Sequence, residues 1–160
     1  MTPLDLQKAV IAEFTDLFGG KLFKKPRKKV TDAQEMVPLN IFPQALPMEK
    51  GYAYSEYIPY MTVQIKGGEL SDEQEPYETT IFLNIGIFDD DTSNQGHVTT
   101  VDMIEKIRQR LFEKRIIGGK YLIKLPFKFE LNDEEIYPYN VAVAETHWNL
   151  PLILPKDPNL

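Results

Sequence analysis

Apolar residues recur at helical spacing in the first twenty positions. The segment 2–5, Thr-Pro-Leu-Asp, is typical of a helix start, with a hydroxyl N-cap, proline at the first helical position and a carboxylate three residues after the cap. The apolar stripe that follows is formed by Leu6, Val10, Phe14 and Leu17. This spacing predicts a helix with one buried face. We expect Gly19-Gly20 to end it in the left-handed conformation that glycine accepts.

Alternation of apolar and polar residues predicts four strands further along the chain. The first covers residues 61–66 and ends at Gly67-Gly68, and the second covers residues 80–88 as a central strand covered on both faces. The third covers residues 121–130, where Pro126 favours an edge or a bulge. The fourth runs from about Tyr139 towards Trp148.

A second helix is predicted between the second and third strands. Thr99 is its expected N-cap with Asp102 at the third position, and Gly118-Gly119 is its expected end. The order of elements indicates an α+β fold, with a mainly antiparallel sheet of about four strands and the N-terminal and second helices packed on one face. At 160 residues the chain suits a single domain, 1–160.

Two segments do not fit the regular pattern. Residues 21–60 form a long connection that is first basic and then rich in proline, in which short strands are expected around Val37 to Phe42. Residues 151–160 form an extended C-terminal tail that begins apolar, with Leu152, Ile153 and Leu154. Left exposed, such a tail is a liability, so we expect it to fold back or to dock on a neighbour.

Charge is unevenly distributed along the chain. The chain has 18 basic and 24 acidic residues, a net charge of −6, and the six cations of residues 21–29 leave −12 on the rest. An acidic chain repels phosphates unless its cations are gathered locally. The basic segment is therefore interpreted either as a contact for a neighbouring subunit or for DNA, or as a solvated loop. Its cations are Lys21, Lys24, Lys25, Arg27, Lys28 and Lys29.

Complementary acidic residues lie in two other segments. They are Glu69, Asp72, Glu73, Glu75, Asp133, Glu134 and Glu135. Basic and acidic surfaces on one chain suit a head-to-tail ring, in which each surface meets its opposite on the next copy.

Candidate catalytic chemistry is sparse. Cysteine is absent, and no phosphate-cradling glycine motif occurs, so no cofactor and no catalytic residue is predicted. Asp89-Asp90-Asp91 at the exit of a buried strand could hold a divalent cation, but a solvated turn is the competing interpretation. His97 and His147 are interpreted as ordinary surface or turn histidines. The chain start shows no secretory pattern and no apolar run approaches the length of a membrane helix, so we expect cytoplasmic synthesis and no membrane partner.

Residues 60–152 resemble a known family through their pattern of hydrophobic residues and turns. The segments that carry the likeness are 81–91, 95–96, 107–111, 121–123, 126–127, 137–139 and 146–151. They are similar to tail-terminator (tail-completion) proteins of long-tailed bacteriophages and prophages. That resemblance implies a non-enzymatic α+β virion protein of the neck, which forms a ring, commonly a hexamer, and caps the tail tube where it joins the head.

The partners implied by the resemblance are further copies of this chain, the tail tube and the head–tail connector proteins, with DNA passing through the ring. Assembly would take place in the host cytoplasm. Two alternatives stay open at this point. One is a metal-dependent enzyme that uses the acidic cluster 89–91, and the other is a nucleic-acid-binding module that uses the basic segment 21–29.

Overall fold

The computed structural model describes residues 1–49, 51, 53–132 and 137–157. Over these residues the chain forms two α-helices, a short 3-10 helix and eight strands. The helices are α1 (Pro3–Leu17) and α2 (His97–Lys114), and the 3-10 helix is Tyr54–Tyr57. The strands are β1 (Leu22–Lys24), β2 (Met36–Pro38), β3 (Asn40–Pro43), β4 (Tyr60–Glu69), β5 (Tyr77–Phe88), β6 (Ile116–Ile117), β7 (Tyr121–Leu131) and β8 (Tyr139–Leu150).

Helix α1 begins as its sequence predicts. The Thr2 side chain accepts from the backbone N–H of Asp5 at 3.2 Å, and the Asp5 carboxylate accepts from the Thr2 backbone N–H at 3.0 Å. This reciprocal capping box satisfies donors that a helix start leaves unpaired. Leu6, Val10 and Phe14 are buried on one face as expected. The expectation for the helix end was wrong in its detail, because neither Gly19 nor Gly20 has a positive φ.

The sheet is larger than the predicted four strands. Six strands pair in the order β3-β4-β5-β8-β7-β6, and β1 and β2 form a separate antiparallel pair. Every pairing in the six-stranded sheet is antiparallel except that of β3 with β4. The α+β class and the mainly antiparallel sheet are therefore confirmed. The count was low because β3 and β6 have only four and two residues, too few to show a periodic pattern.

Helix α2 starts and ends differently from the prediction. It begins at His97 with Gly96 as its N-cap, so Thr99 lies inside the helix and His97 is its first residue. Gly118 and Gly119 have φ values of 62° and 75° and form the turn between β6 and β7. They do not end the helix, which stops at Lys114. The glycine pair is needed for a tight strand-to-strand turn, where positive φ costs little only for glycine.

Proline and glycine mark irregularities within the long strands. The register of β7 against β8 shifts between Lys124 and Lys128, around Pro126, which confirms the expected bulge. Strand β4 passes through Gly67-Gly68 and ends at Glu69, so the glycine pair does not terminate it. The β4–β5 register shifts between Ile65 and Gly67, and this bulge lets the strand continue.

The core lies between the helices and one face of the sheet. It contains residues of both helices together with alternate residues of the central strands, among them Ile81, Leu83, Ile85 and Trp148. The opposite face of β5 was also predicted to be covered, and the structure covers it near the C-terminal end of the strand. There Phe88 is buried in a small second cluster with Ile58 and Tyr60, whereas Phe82 is only partly buried.

Strand β5 separates two acidic segments, one at each of its ends. Its 12 residues span about 36 Å at the usual rise of about 3.3 Å per residue. Asp89-Asp90-Asp91 follows its C-terminal end, and the acidic β4–β5 loop precedes its N-terminal end at Tyr77. Tyr77 pairs with Leu150, so the C-terminal tail leaves the sheet at the same end as the acidic loop. In the part of the chain that the structure describes, no helix is long and apolar enough to cross a membrane.

Candidate functional site

The basic segment is folded onto the body of the protein. Residues 21–29 contain strand β1, which pairs with β2 so that Phe23 lies opposite Val37. Phe23 is buried, and its ring packs edge-on against that of Phe18 at 6.4 Å. The aromatic side chain in this segment therefore belongs to the core and is not exposed for stacking on a nucleic-acid base.

Two cations of the segment hold the acidic triplet at the end of β5. The Lys24 ammonium lies 3.0 Å from an Asp89 carboxylate oxygen. The Arg27 guanidinium donates from Nε and Nη2 to the two Asp90 carboxylate oxygens, at 2.8 and 3.0 Å. We call these four residues the charge clamp. The Arg27 and Asp90 side chains are only 19% and 10% exposed, so the bidentate pair is largely shielded from water.

The pKa values of Arg27 and Asp90 in the clamp, and of the neighbouring Asp91, are shifted from their ordinary values. Hydrogen bonding from the Arg27 guanidinium, helped by its charge, holds the pKa of the Asp90 carboxyl below its ordinary value. The same hydrogen bond raises the pKa of Arg27. The pKa of Asp91 is lowered mainly by hydrogen bonding with Ser93, whose backbone N–H donates to an Asp91 carboxylate oxygen at 2.9 Å. All three effects favour the charged forms at neutral pH.

The geometry of the acidic triplet bears on the metal hypothesis. Asp89 Oδ1 accepts from Lys24 and from the backbone N–H of Asp91 at 3.0 Å, and both Asp90 oxygens accept from Arg27. These carboxylates are thus already neutralised by cations of the chain itself. Within the described ranges no group of three or more histidine and acidic side chains is placed to hold a metal ion.

The remaining cations of the segment divide into two kinds. Lys21 lies 3.0 Å from Asp102 and Lys25 lies 3.7 Å from Glu35. Lys28 and Lys29 are exposed, and neither ammonium has an ion-pair partner among the residues that the structure describes. Four of the six cations in the basic segment are therefore paired with carboxylates, and within the described residues Lys28 and Lys29 are the two that are not.

The predicted acidic surface lies at the opposite end of β5. Glu69, Asp72, Glu73 and Glu75 are all exposed in or beside the β4–β5 loop. Asp72 accepts from the backbone N–H of Gln74 at 2.9 Å, which shapes the loop. The other predicted acidic residues, Asp133, Glu134 and Glu135, lie outside the described residues.

The C-terminal tail leaves the sheet beside this loop. Leu150 is buried as the last residue of β8, but Leu152, Ile153 and Leu154 are 41%, 76% and 76% exposed. A cleft of about 290 Å³ lies between the tail and the loop. We call it the open cleft, and its walls include Leu70, Glu73, Glu75, Tyr77 and residues 150–153.

One polar arrangement was not anticipated from the sequence. On the uncovered face of the sheet, Thr80 Oγ1 lies 3.2 Å from His147 Nδ1, and His147 Nε2 lies 2.9 Å from a Glu145 carboxylate oxygen. The signal was the period-2 spacing of Glu145 and His147, but the cross-strand pairing with Thr80 was needed to find it. Thr80 lies in a strand paired on both sides, where backbone N–H groups are used by the sheet. The three side chains form a polar cluster on this face of the sheet.

Comparisons with known proteins place the chain in no family. No family model matches the chain, and no curated protein matches it. A solved protein structure aligns over 94% of this chain and 98% of its own, with 12% sequence identity and a TM-score of 0.48. A likeness at that score and identity supports no argument about family or function.

Proposed function

We propose that this protein is a non-enzymatic structural component of a long-tailed bacteriophage or prophage. Its role would be that of a tail terminator or head–tail joining protein, which forms a homo-oligomeric ring and caps the tail tube in the neck of the virion. The tail tube and the connector proteins are its proposed partners, and DNA would pass through the ring. The ring would assemble in the host cytoplasm and act as a hexamer.

The observation that carries this proposal is the exposed apolar segment Leu152–Leu154 at one end of the sheet. These three consecutive aliphatic side chains are exposed, and the first two line a cleft that is itself largely apolar. Contiguous apolar surface on a monomer is typical of a protein contact. Burying these side chains against another protein would release that surface from water, which favours association.

The position of the residues that carry the resemblance gives further support. Segment 81–88 lies in β5, segment 107–111 in α2, segments 121–123 and 126–127 in β7, and residues 146–150 at the end of β8. These elements are neighbours around one core. The likeness thus follows a contiguous part of the fold, as an assembly subunit requires, and it transfers no catalytic residue.

Assembly and tube capping test the proposal directly. We expect sedimentation to show oligomers whose fraction rises with concentration, electron micrographs to show six-fold annuli, and added protein to stop the growth of tail tubes. Replacing Leu152, Ile153 and Leu154 with serine should weaken these effects. A chain that stays monomeric even with tail tubes present would contradict the proposal, as would an enzymatic turnover abolished by a single change at an acidic or histidine residue.

A further inference from the structure

The turn between β1 and β2 presents an apolar side chain directly after two cations, Lys28 and Lys29, that have no ion-pair partner among the described residues. The Asp32 backbone N–H donates to the Lys29 carbonyl at 3.0 Å, and the Asp32 carboxylate accepts from the Lys29 N–H at 3.1 Å. This turn places Val30 at its outer corner, 62% exposed. We call Lys28–Val30 the hairpin tip. The charge clamp anchors it, because Arg27 precedes it directly.

The open cleft has the complementary composition. Most of its walls are aliphatic or aromatic, Met1 among them, and Glu73 and Glu75 line it as well. Neither carboxylate has an ion-pair partner in the described part of the chain. At about 290 Å³ the cleft is at the small end of binding pockets, with room for one aliphatic side chain and the backbone that bears it.

The hairpin tip and the open cleft cannot meet within one chain. The tip begins one residue after Arg27, which binds Asp90 beyond the C-terminal end of β5, whereas Tyr77 of the cleft is the first residue of β5. The strand between them spans about 36 Å. Val30 is three residues from Arg27 and so can reach only about 11 Å from its Cα.

We propose that the hairpin tip of one copy docks in the open cleft of the next copy, with Val30 in the apolar floor and Lys28 and Lys29 beside Glu73 and Glu75. The occupant is a second copy of this chain because the same molecule displays both complementary surfaces, at opposite ends of the 12-residue strand β5. Such a contact is head-to-tail, so repetition generates a ring where the rotation closes and a filament where it does not. This inference rests on the proposed ring-forming function and identifies its interface.

The contact is tested with variants that disable one surface each. Val30→Glu disables the tip by placing a charged carboxylate in the apolar floor of the cleft, and Glu73→Lys with Glu75→Lys disables the cleft. Lys8→Glu with Lys128→Glu is the matched control, because both lysines are exposed and lie outside the two surfaces. We expect each disabling variant to weaken self-association about tenfold or more, measured by sedimentation equilibrium, and the control to associate like the wild type.

Mixing supplies a readout that a merely misfolded variant would not give. The tip variant keeps an intact cleft and the cleft variant keeps an intact tip, so their equimolar mixture should form a one-to-one dimer and nothing larger. Combining Lys28→Glu and Lys29→Glu with the cleft variant should restore assembly, because both charges of the contact are then reversed. Far-ultraviolet circular dichroism and thermal melts establish that each variant is folded.

The possible results separate this inference from the proposed function. Disabling variants that assemble like the wild type, or a mixture without dimers, would overturn the docking and leave the ring to another interface. Assembly that depends on both surfaces but yields filaments, with no effect on tail tubes, would support the docking and contradict the tail-terminator role. A wild type that stays monomeric at every concentration would overturn both.

Discussion

The two ends of β5 both carry carboxylates, but they use them differently. At the Phe88 end, Asp89 and Asp90 form ion pairs with Lys24 and Arg27, which lie more than sixty residues away in the sequence. The Arg27–Asp90 pair is largely shielded from water. At the Tyr77 end, exposed glutamates surround an apolar cleft and an uncovered tail. The first set of charges stabilises the fold of one chain, and the second is free for a contact between chains.

This difference cannot be obtained from a count of charges. The sequence shows a block of six cations and several acidic blocks. It does not indicate which acidic block pairs with the cations. In the structure four of those cations have carboxylate partners within the chain. Among the described residues only Lys28 and Lys29 of this segment have no carboxylate partner, and the exposed Val30 follows them directly.

The largest effect on stability is expected at the tightly packed end. A Cβ on Gly86 would lie 2.2 Å from the buried Tyr60 ring, so Gly86→Ala should lower the free energy of unfolding by about 1–3 kcal/mol. A Cβ on Gly67 meets nothing within 4 Å, so Gly67→Ala should stay within about 0.5 kcal/mol of the wild type. Urea denaturation of both variants measures the contrast, and equal losses would show that the two ends are packed alike.

A smaller, pH-dependent effect is expected at the charge clamp. Because the folded pKa of Asp90 lies below its unfolded value, near 4, the pair contributes stability above about pH 4 and loses it as the pH falls through the folded pKa. Arg27→Gln should therefore destabilise the protein at neutral pH, and its difference from the wild type should shrink on acidification.

The control for the clamp is an exposed pair of the same chemistry. Arg108 pairs with Glu105 at 2.7 Å on the surface of α2, with both side chains nearly half exposed. Arg108→Gln should change the urea midpoint at pH 7 less than Arg27→Gln does, because exposed pairs contribute little. If the two variants lose the same stability, the clamp is not the structural element that its burial indicates.

The smallest effect on stability is expected at the tail. Replacing Leu152, Ile153 and Leu154 with serine should leave the free energy of unfolding of the dilute, monomeric protein within about 0.5 kcal/mol of the wild type, because all three side chains are exposed and lie outside the buried core. The same variant should lose assembly. Calorimetry should therefore show nearly unchanged stability, whereas sedimentation should show a loss of oligomers. A large loss of stability in the monomer would show that the tail is part of the core.

Much of the fold could be predicted because its signals are local. The capping box at Thr2 and Asp5 and the stripe from Leu6 to Phe14 define α1, since each depends on residues three or four positions apart. Period-2 alternation located the four long strands for the same reason. The ends of β4 and α2 were misplaced because glycine pairs permit a bulge or a hairpin turn as readily as a stop.

The candidate site was predictable only in part. The acidic residues of the β4–β5 loop are exposed as their composition indicates, and the apolar tail stands out by its sequence alone. The exposed position of Val30 was not predicted. A single valine after two lysines gives no periodic signal, and its exposure depends on the turn closed by Asp32. The Thr80–His147 contact was missed because it joins residues on two strands.

The amino-acid sequence by itself determined the class of the fold, the two helices, the long strands and the presence of opposite charges. Only the tertiary structure decided which carboxylates meet which cations, that β3 pairs parallel to β4, and that the hairpin tip and the open cleft lie at opposite ends of β5. The physical reason is distance along the chain. Hydrophobic periodicity and capping act over one or two turns, whereas Arg27 and Asp90 are 63 residues apart and meet only when the sheet brings them together.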